Sequence, residues 1–167
     1  MSRLGRALRA ELEENWPDEA DHPLGAYDQP EVIYGKGSIK ESKATKDVIK
    51  IEESSDPNSE PLGFRHTHEA VDETATLQLW GVTRRVDGIE VRGGERLFGE
   101  APADGLEGAE IGGLSGDLRD WLHGNRLGVG PYDYVQADWP IDNSDMAGKN
   151  EYRADVRVTA AQHARDL

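Results

Sequence analysis

The chain has no cysteine among its 167 residues. That absence excludes disulfide staples and every thiolate-ligated metal centre, so any metal would need histidine and carboxylate ligands. There is no apolar run near the length of a membrane span, and the first residues, MSRLGRALRAELEEN, hold no apolar signal core before they turn acidic. The expectation is a soluble, unprocessed protein without a membrane partner. Lysine is scarce too: 6 Lys stand against 13 Arg, and five of the six lie between Lys36 and Lys50.

Negative charge is abundant. The chain carries 33 Asp+Glu against 19 Lys+Arg, a formal charge of −14 spread along its length. A field of that sign repels phosphate backbones and anionic membranes, which disfavours nonspecific nucleic-acid binding outside a local basic patch. An acidic, lysine-poor, cysteine-free composition resembles proteins of a salt-saturated cytoplasm, as in haloarchaea and their viruses; an ordinary acidic protein is the alternative. At molar salt the Debye length is about 3 Å, which screens the self-repulsion. The length suits one domain spanning 1–167 with a single core.

Apolar periodicity supplies the elements. Leu4, Leu8 and Leu12 recur at four-residue spacing with Ala7 alongside, predicting a helix over 1–16 that Ser2 caps and Asn15-Trp16-Pro17 ends. PDEADHPLGAYDQP (17–30) is a connector. Glu31–Tyr34 and Asp47–Glu52 are short strand candidates, with 35–47 between them a loop or arm, and SSDPNSEPLG (54–63) breaks the pattern. The β pattern of ATLQLWGVTRR starts near Ala75, with Leu77 and Leu79 on one face and Gln78, Trp80 and Val82 on the other. Residues 86–113, with Asp87-Gly88 and Gly93-Gly94 turn signals, read as a hairpin extension, loop or arm. Ser115 caps a second helix carrying Leu114, Leu118, Trp121 and Leu122, which Asn125 and Gly128 end. Tyr132–Trp139 places Val135, Ala137 and Trp139 on one face, and Tyr152–Ala160 alternates in the same way, giving an antiparallel pair. The fold class is α+β: a small, mostly antiparallel sheet flanked by an N-terminal helix and a second helix, with long loops.

Several motifs fail on spacing. Gly148-Lys149 lacks the upstream glycine and following Ser or Thr of a phosphate loop; Asp142-Asn143-Ser144-Asp145 lacks the ligand order of a calcium loop; Gly113-Leu114-Ser115-Gly116 misses the second glycine of a nucleophile elbow; and Gly124, Gly128 and Gly130 lack the setting of a dinucleotide fingerprint. FRHTHEAVDE (64–73) keeps one weak metal candidate, His66 and His68 with Asp72, because imidazoles two residues apart on a strand share a face. Amidohydrolases that open with such a pair need a far longer barrel and further ligands. A polar lead-in to the strand is the simpler reading, with no cofactor and no catalytic residues. The basic stretch GKGSIKESKATKDVIK, with Lys36, Lys40, Lys43 and Lys46, is either a solvated loop or an arm toward an acidic partner; it has no interleaved aromatics for base stacking.

The order of LGRALRAELEENW, VIYG, TLQLWGVTRR, LRDWLHGN, Tyr132-Asp133-Tyr134-Val135 and Tyr152–Val158 resembles the tail-terminator or tail-completion (neck) proteins of long-tailed viruses, here one infecting a halophilic archaeon. The resemblance covers most of the chain in pattern and rests on no catalytic motif. It implies a non-enzymatic virion protein of the tail or neck, assembled in the host cytoplasm. Such a protein forms a homo-oligomeric ring, typically a hexamer, at the head-proximal end of the tail. Its partners are the tail-tube protein and the head-tail connector protein, with no sequence-specific nucleic acid although the genome passes through the ring. Another neck, connector or minor tail protein is the alternative, and a small halophilic metal enzyme using His66 and His68 the more distant one. On the ring reading, Lys36–Lys50 and Val86–Gly94 are the candidate arms, and Arg84, Arg85, Arg153 and Arg157 candidate interface or lumen residues.

Overall fold

The computed structural model describes residues 3–19, 21–34, 47–53, 58–62, 68–82, 84–86, 88–91, 93–99, 113–128, 134–146 and 151–165. Two strands of 15 residues each dominate it, β4 (His68–Val82) and β9 (Glu151–Arg165), antiparallel and in unbroken register from His68↔Arg165 to Val82↔Glu151. Outside β4 lie β2 (Val48–Glu53) and β3 (Asn58–Leu62), end to end; outside β9 lie β7 (Tyr134–Ala137) and β8 (Ile141–Asp142). The strand β1 (Glu31–Tyr34) joins β2 in parallel and completes a seven-stranded sheet, while β5 (Arg84–Val86) and β6 (Ile89–Val91) form a separate hairpin. The α+β class, with an almost wholly antiparallel sheet, is the one read from the sequence.

Helices α1 (Arg3–Glu14), α2 (Gly93–Phe98) and α3 (Gly113–Leu122) pack their leucines onto one sheet face. The strands meet them with alternate residues: Ile49 and Ile51; Ala75, Leu77 and Leu79; Ala154, Val156, Val158 and Ala160; Val135 and Ala137. All of these belong to one buried cluster with Leu4, Leu8, Leu12, Leu97, Leu114, Leu118 and Leu122. No acidic residue lies in the first turn of α1, and its Leu4 N–H is met instead by the Glu73 carboxylate of β4 at 2.9 Å. A carboxylate there satisfies an orphan donor and complements the positive end of the helix.

Four expectations are corrected. First, residues 54–63 do not simply break the sheet: β3 runs through Pro61, which an outer strand tolerates because one side of it needs no ladder donor. The pairing with β4 stops at Glu53↔Ala75 in β2 and resumes at Asn58↔Asp72 in β3. Second, β4 begins at His68 rather than near Ala75. Polar residues with weak strand preference extend it because β3 and β9 supply ladder partners on both sides.

Third, the stretch 86–113 is not all loop or arm. It contains β6 and α2, and Leu97 of α2 is fully buried. Gly93-Gly94 opens that helix instead of a turn: a Cβ on Gly94 would sit 3.0 Å from the Tyr152 ring, and one on Gly81 would sit 2.9 Å from the Gly93 carbonyl oxygen. These glycines let helix and sheet approach closely. Fourth, Ser115 lies within α3, buried, and its hydroxyl donates to the Leu97 carbonyl of α2 instead of capping its own helix. At the margin of the other expected arm, Asp47 is buried and held bidentately by Arg96, with contacts of 3.0 and 2.7 Å.

Candidate interaction surface

An outer strand exposes alternate N–H and C=O groups and invites pairing with another chain. On β7 those groups belong to Val135 and Ala137, and each is occupied. The turn after α3 folds back so that Gly124 N–H donates to the Val135 carbonyl at 2.8 Å and Val135 N–H donates to the Asn125 carbonyl at 3.0 Å. Side chains of the same region close Ala137: its carbonyl accepts from Arg119 Nε at 2.8 Å, and its N–H donates to His123 Nδ1 at 3.2 Å. Helix α3 and its exit turn thus cover the edge.

Beyond Ala137 the strand bulges. Asp138 N–H still donates to the Arg157 carbonyl, yet Ile141 pairs with Asp155, so Trp139 and Pro140 together oppose Val156. The extra residue ends the alternation, and Trp139 leaves the core face where the sequence pattern had placed it. Its ring lies against the Arg119 guanidinium, 4.0 Å from centroid to carbon, and remains 44% exposed. Tyr134 at 51% and Ile141 at 60% flank it. Among the described residues these three are the exposed large apolar side chains, and all lie on one short stretch of one sheet edge. The Arg119 contact orients the Trp139 ring.

Two clefts lie on the helical side. His22, Pro23, Asp117, Asp120 and Trp121 line one of about 190 Å³; Glu13, Glu14, Trp16, Asp18, Tyr27 and Asp28 are among the residues lining the other, of about 310 Å³. The Tyr27 hydroxyl donates to Asp117 Oδ2 at 3.1 Å, tying the 17–30 connector to α3. Burial, reinforced by the Asp117 charge, pushes the Tyr27 phenol up to about 12. Burial also raises Asp117, partly offset by the Tyr27 hydrogen bond.

Of the candidates from sequence, Arg153 and Arg157 lie on the sheet face opposite the helices. Arg153 donates to Asp155 through Nε at 2.8 Å and Nη2 at 2.9 Å, stands 5.4 Å from the Trp80 ring centroid, and leaves 14% of its side chain exposed. The Asp155 hydrogen bonds hold its guanidinium above an already high range. Arg157 is exposed. Arg84 and Arg85 pair in register with Val91 and Glu90 across the β5–β6 hairpin. His68 and Asp72 fall in β4, facing Leu62 and Asn58 of β3 in register. His66, Lys36, Lys40, Lys43 and Lys46 lie outside the described residues, and no group of three metal-ligating side chains comes together among those described. Sequence reasoning missed Tyr134, Trp139, Ile141, Arg119 and His123. The signal available was Trp139-Pro140, a proline that cannot continue a ladder.

Neither a scan against protein-family models nor a search of curated proteins found a match.

Proposed function

We propose that the chain is a structural virion protein that forms a ring at the head-proximal end of a viral tail, terminating the tube and joining it to the head connector. The observation that carries the proposal is the surface made by Tyr134, Trp139 and Ile141, with Trp139 fixed against Arg119. A preorganised aromatic flanked by apolar and arginine side chains is the composition of an interface centre. Closure of the β7 edge supports docking through side chains, which makes a defined contact without open-ended strand addition. A heterologous contact between this patch and a different surface of the next subunit closes into a ring when the rotation permits. The overall charge of −14 fits assembly at high salt, where repulsion between subunits is screened.

Electron microscopy of the purified protein in molar salt tests this reading. Rings with a central hole are expected, and replacing Trp139 by Ala and Ile141 by Asp should leave folded monomers. Rings that persist in the double variant would move the contact elsewhere; a monomer under every salt condition and with added tube protein would end the ring reading. Stoichiometry and hole diameter separate a terminator from another neck or connector component.

A further inference from the structure

Arg119 divides one guanidinium among three neighbours. Its Nε donates to the Ala137 carbonyl of β7 at 2.8 Å, its Nη1 donates to Asp120 Oδ1 at 3.2 Å, and its central carbon stands 4.0 Å from the centroid of the Trp139 indole. The arginine side chain is 14% exposed, whereas Trp139 is 44% exposed. The guanidinium therefore lies behind the indole, and whatever docks on this surface meets the indole first. The bulge at Trp139-Pro140 has already taken the side chain out of the ladder alternation, so the buried cluster does not receive it. What orients it is the guanidinium, and what orients the guanidinium is the β7 carbonyl.

We propose that Arg119 is the positioning residue of the Tyr134–Trp139–Ile141 surface: it touches no partner and sets the orientation in which Trp139 meets one. The inference rests on the reading of that surface as a contact between subunits. An exposed indole loses rotamer freedom when it docks, and an indole already stacked on a cation has less of it to lose. Lysine cannot take over both tasks, because its ammonium is a point charge without the planar fork that bonds a carbonyl through Nε while lying against an aromatic face. The role is distinct from closing the sheet edge. Without the Arg119 bond, Val135 still pairs with Gly124 and Asn125, and the Ala137 N–H still donates to His123, so β7 keeps most of its cover.

The test uses the full chain in molar salt and has two readings. Labelling with 5-fluorotryptophan gives one 19F resonance for each of Trp16, Trp80, Trp121 and Trp139, and Trp139→Phe assigns the last. Arg119→Lys should shift the Trp139 resonance and increase its broadening by a dissolved paramagnetic chelate, while the Trp16 and Trp80 resonances stay in place as evidence that the fold is kept. Arg119→Gln repeats the comparison with a neutral side chain. Sedimentation equilibrium then measures self-association: Arg119→Lys and Trp139→Ala should each weaken it about tenfold, and the double variant should again lose about tenfold, not a hundredfold, because the arginine acts through the indole. Additive losses would make Arg119 a contact residue in its own right and overturn the proposal, as would an unmoved Trp139 resonance in a protein that assembles. A wild type that stays monomeric removes the contact itself, and that failure belongs to the subunit-contact reading.

Discussion

The two faces of the sheet solve opposite problems with the same strands. On one, Leu77, Leu79, Val156 and Val158 disappear beneath three helices; on the other, the intervening residues form a polar layer in which charges alternate by register. Lys50, Gln78 and Asp155 stand on one rung, and Glu52, Thr76 and Arg157 on the next, so sign reverses both along and across the strands. Lys50 pairs with Glu52 at 3.6 Å, Arg153 with Asp155, and Asn143 Nδ2 donates to Asp155 at 2.8 Å. The helical face is held by area removed from water, which offers salt no charge to screen. The polar face is held by geometry and charge, which salt screens. Bidentate, partly covered pairs survive screening better than single exposed ones.

Breaking the apolar face should cost most. Leu79→Ala deletes a fully buried side chain of the core cluster, with an expected loss of about 2–5 kcal/mol by chemical denaturation. Next comes Arg153→Ala, which strips two hydrogen bonds from Asp155 and the cation from Trp80; about 2 kcal/mol is expected, recovered only in part by Lys. Its neighbour Arg157, exposed on the same strand and face, should change stability by no more than about 0.5 kcal/mol on replacement by Ala. Equal costs at the two arginines would dissolve the distinction between a built pair and a surface charge.

An alkaline series sharpens the helical side. Because the Tyr27 pKa is raised, the unfolded chain gives up this proton first as pH climbs from the ordinary tyrosine value of about 10 toward 12. Stability is full below pH 10 and declines through that window. Tyr27→Phe should flatten the decline in an alkaline melting series; an unchanged slope would assign it to other groups.

What could be read from sequence divides along the same line. The helix at 3–14 and the 152–160 part of β9 were legible because buried residues recur with the period of the element, Leu4-Leu8-Leu12 in one and Ala154-Val156-Val158 in the other; the continuation of β9 to Arg165 was not read. Helix α2 was not, since Gly93-Gly94 serves close packing against Tyr152 and local propensity rules read it as a turn. Nor was the aromatic patch: one extra residue at Trp139-Pro140 shifts the alternation, and sequence pattern cannot register a bulge before the partner strand is known. The cover on β7 joins residues 119–125 to 135–137 through a turn and two side chains. No local signal encodes such a closure.

The pairing of β4 with β9 also governs the order of folding. The two central strands meet only after the intervening residues 83–150 have been looped out, so the most extensive ladder in the molecule is also one of its least local. Until β9 docks, β4 keeps one open side and the leucines of three helices have half a sheet to cover. Folding is therefore expected to be slow, with docking of the C-terminal strand as the late step, and a nascent chain stalled before residue 151 would present an unsatisfied strand edge to any aggregation partner.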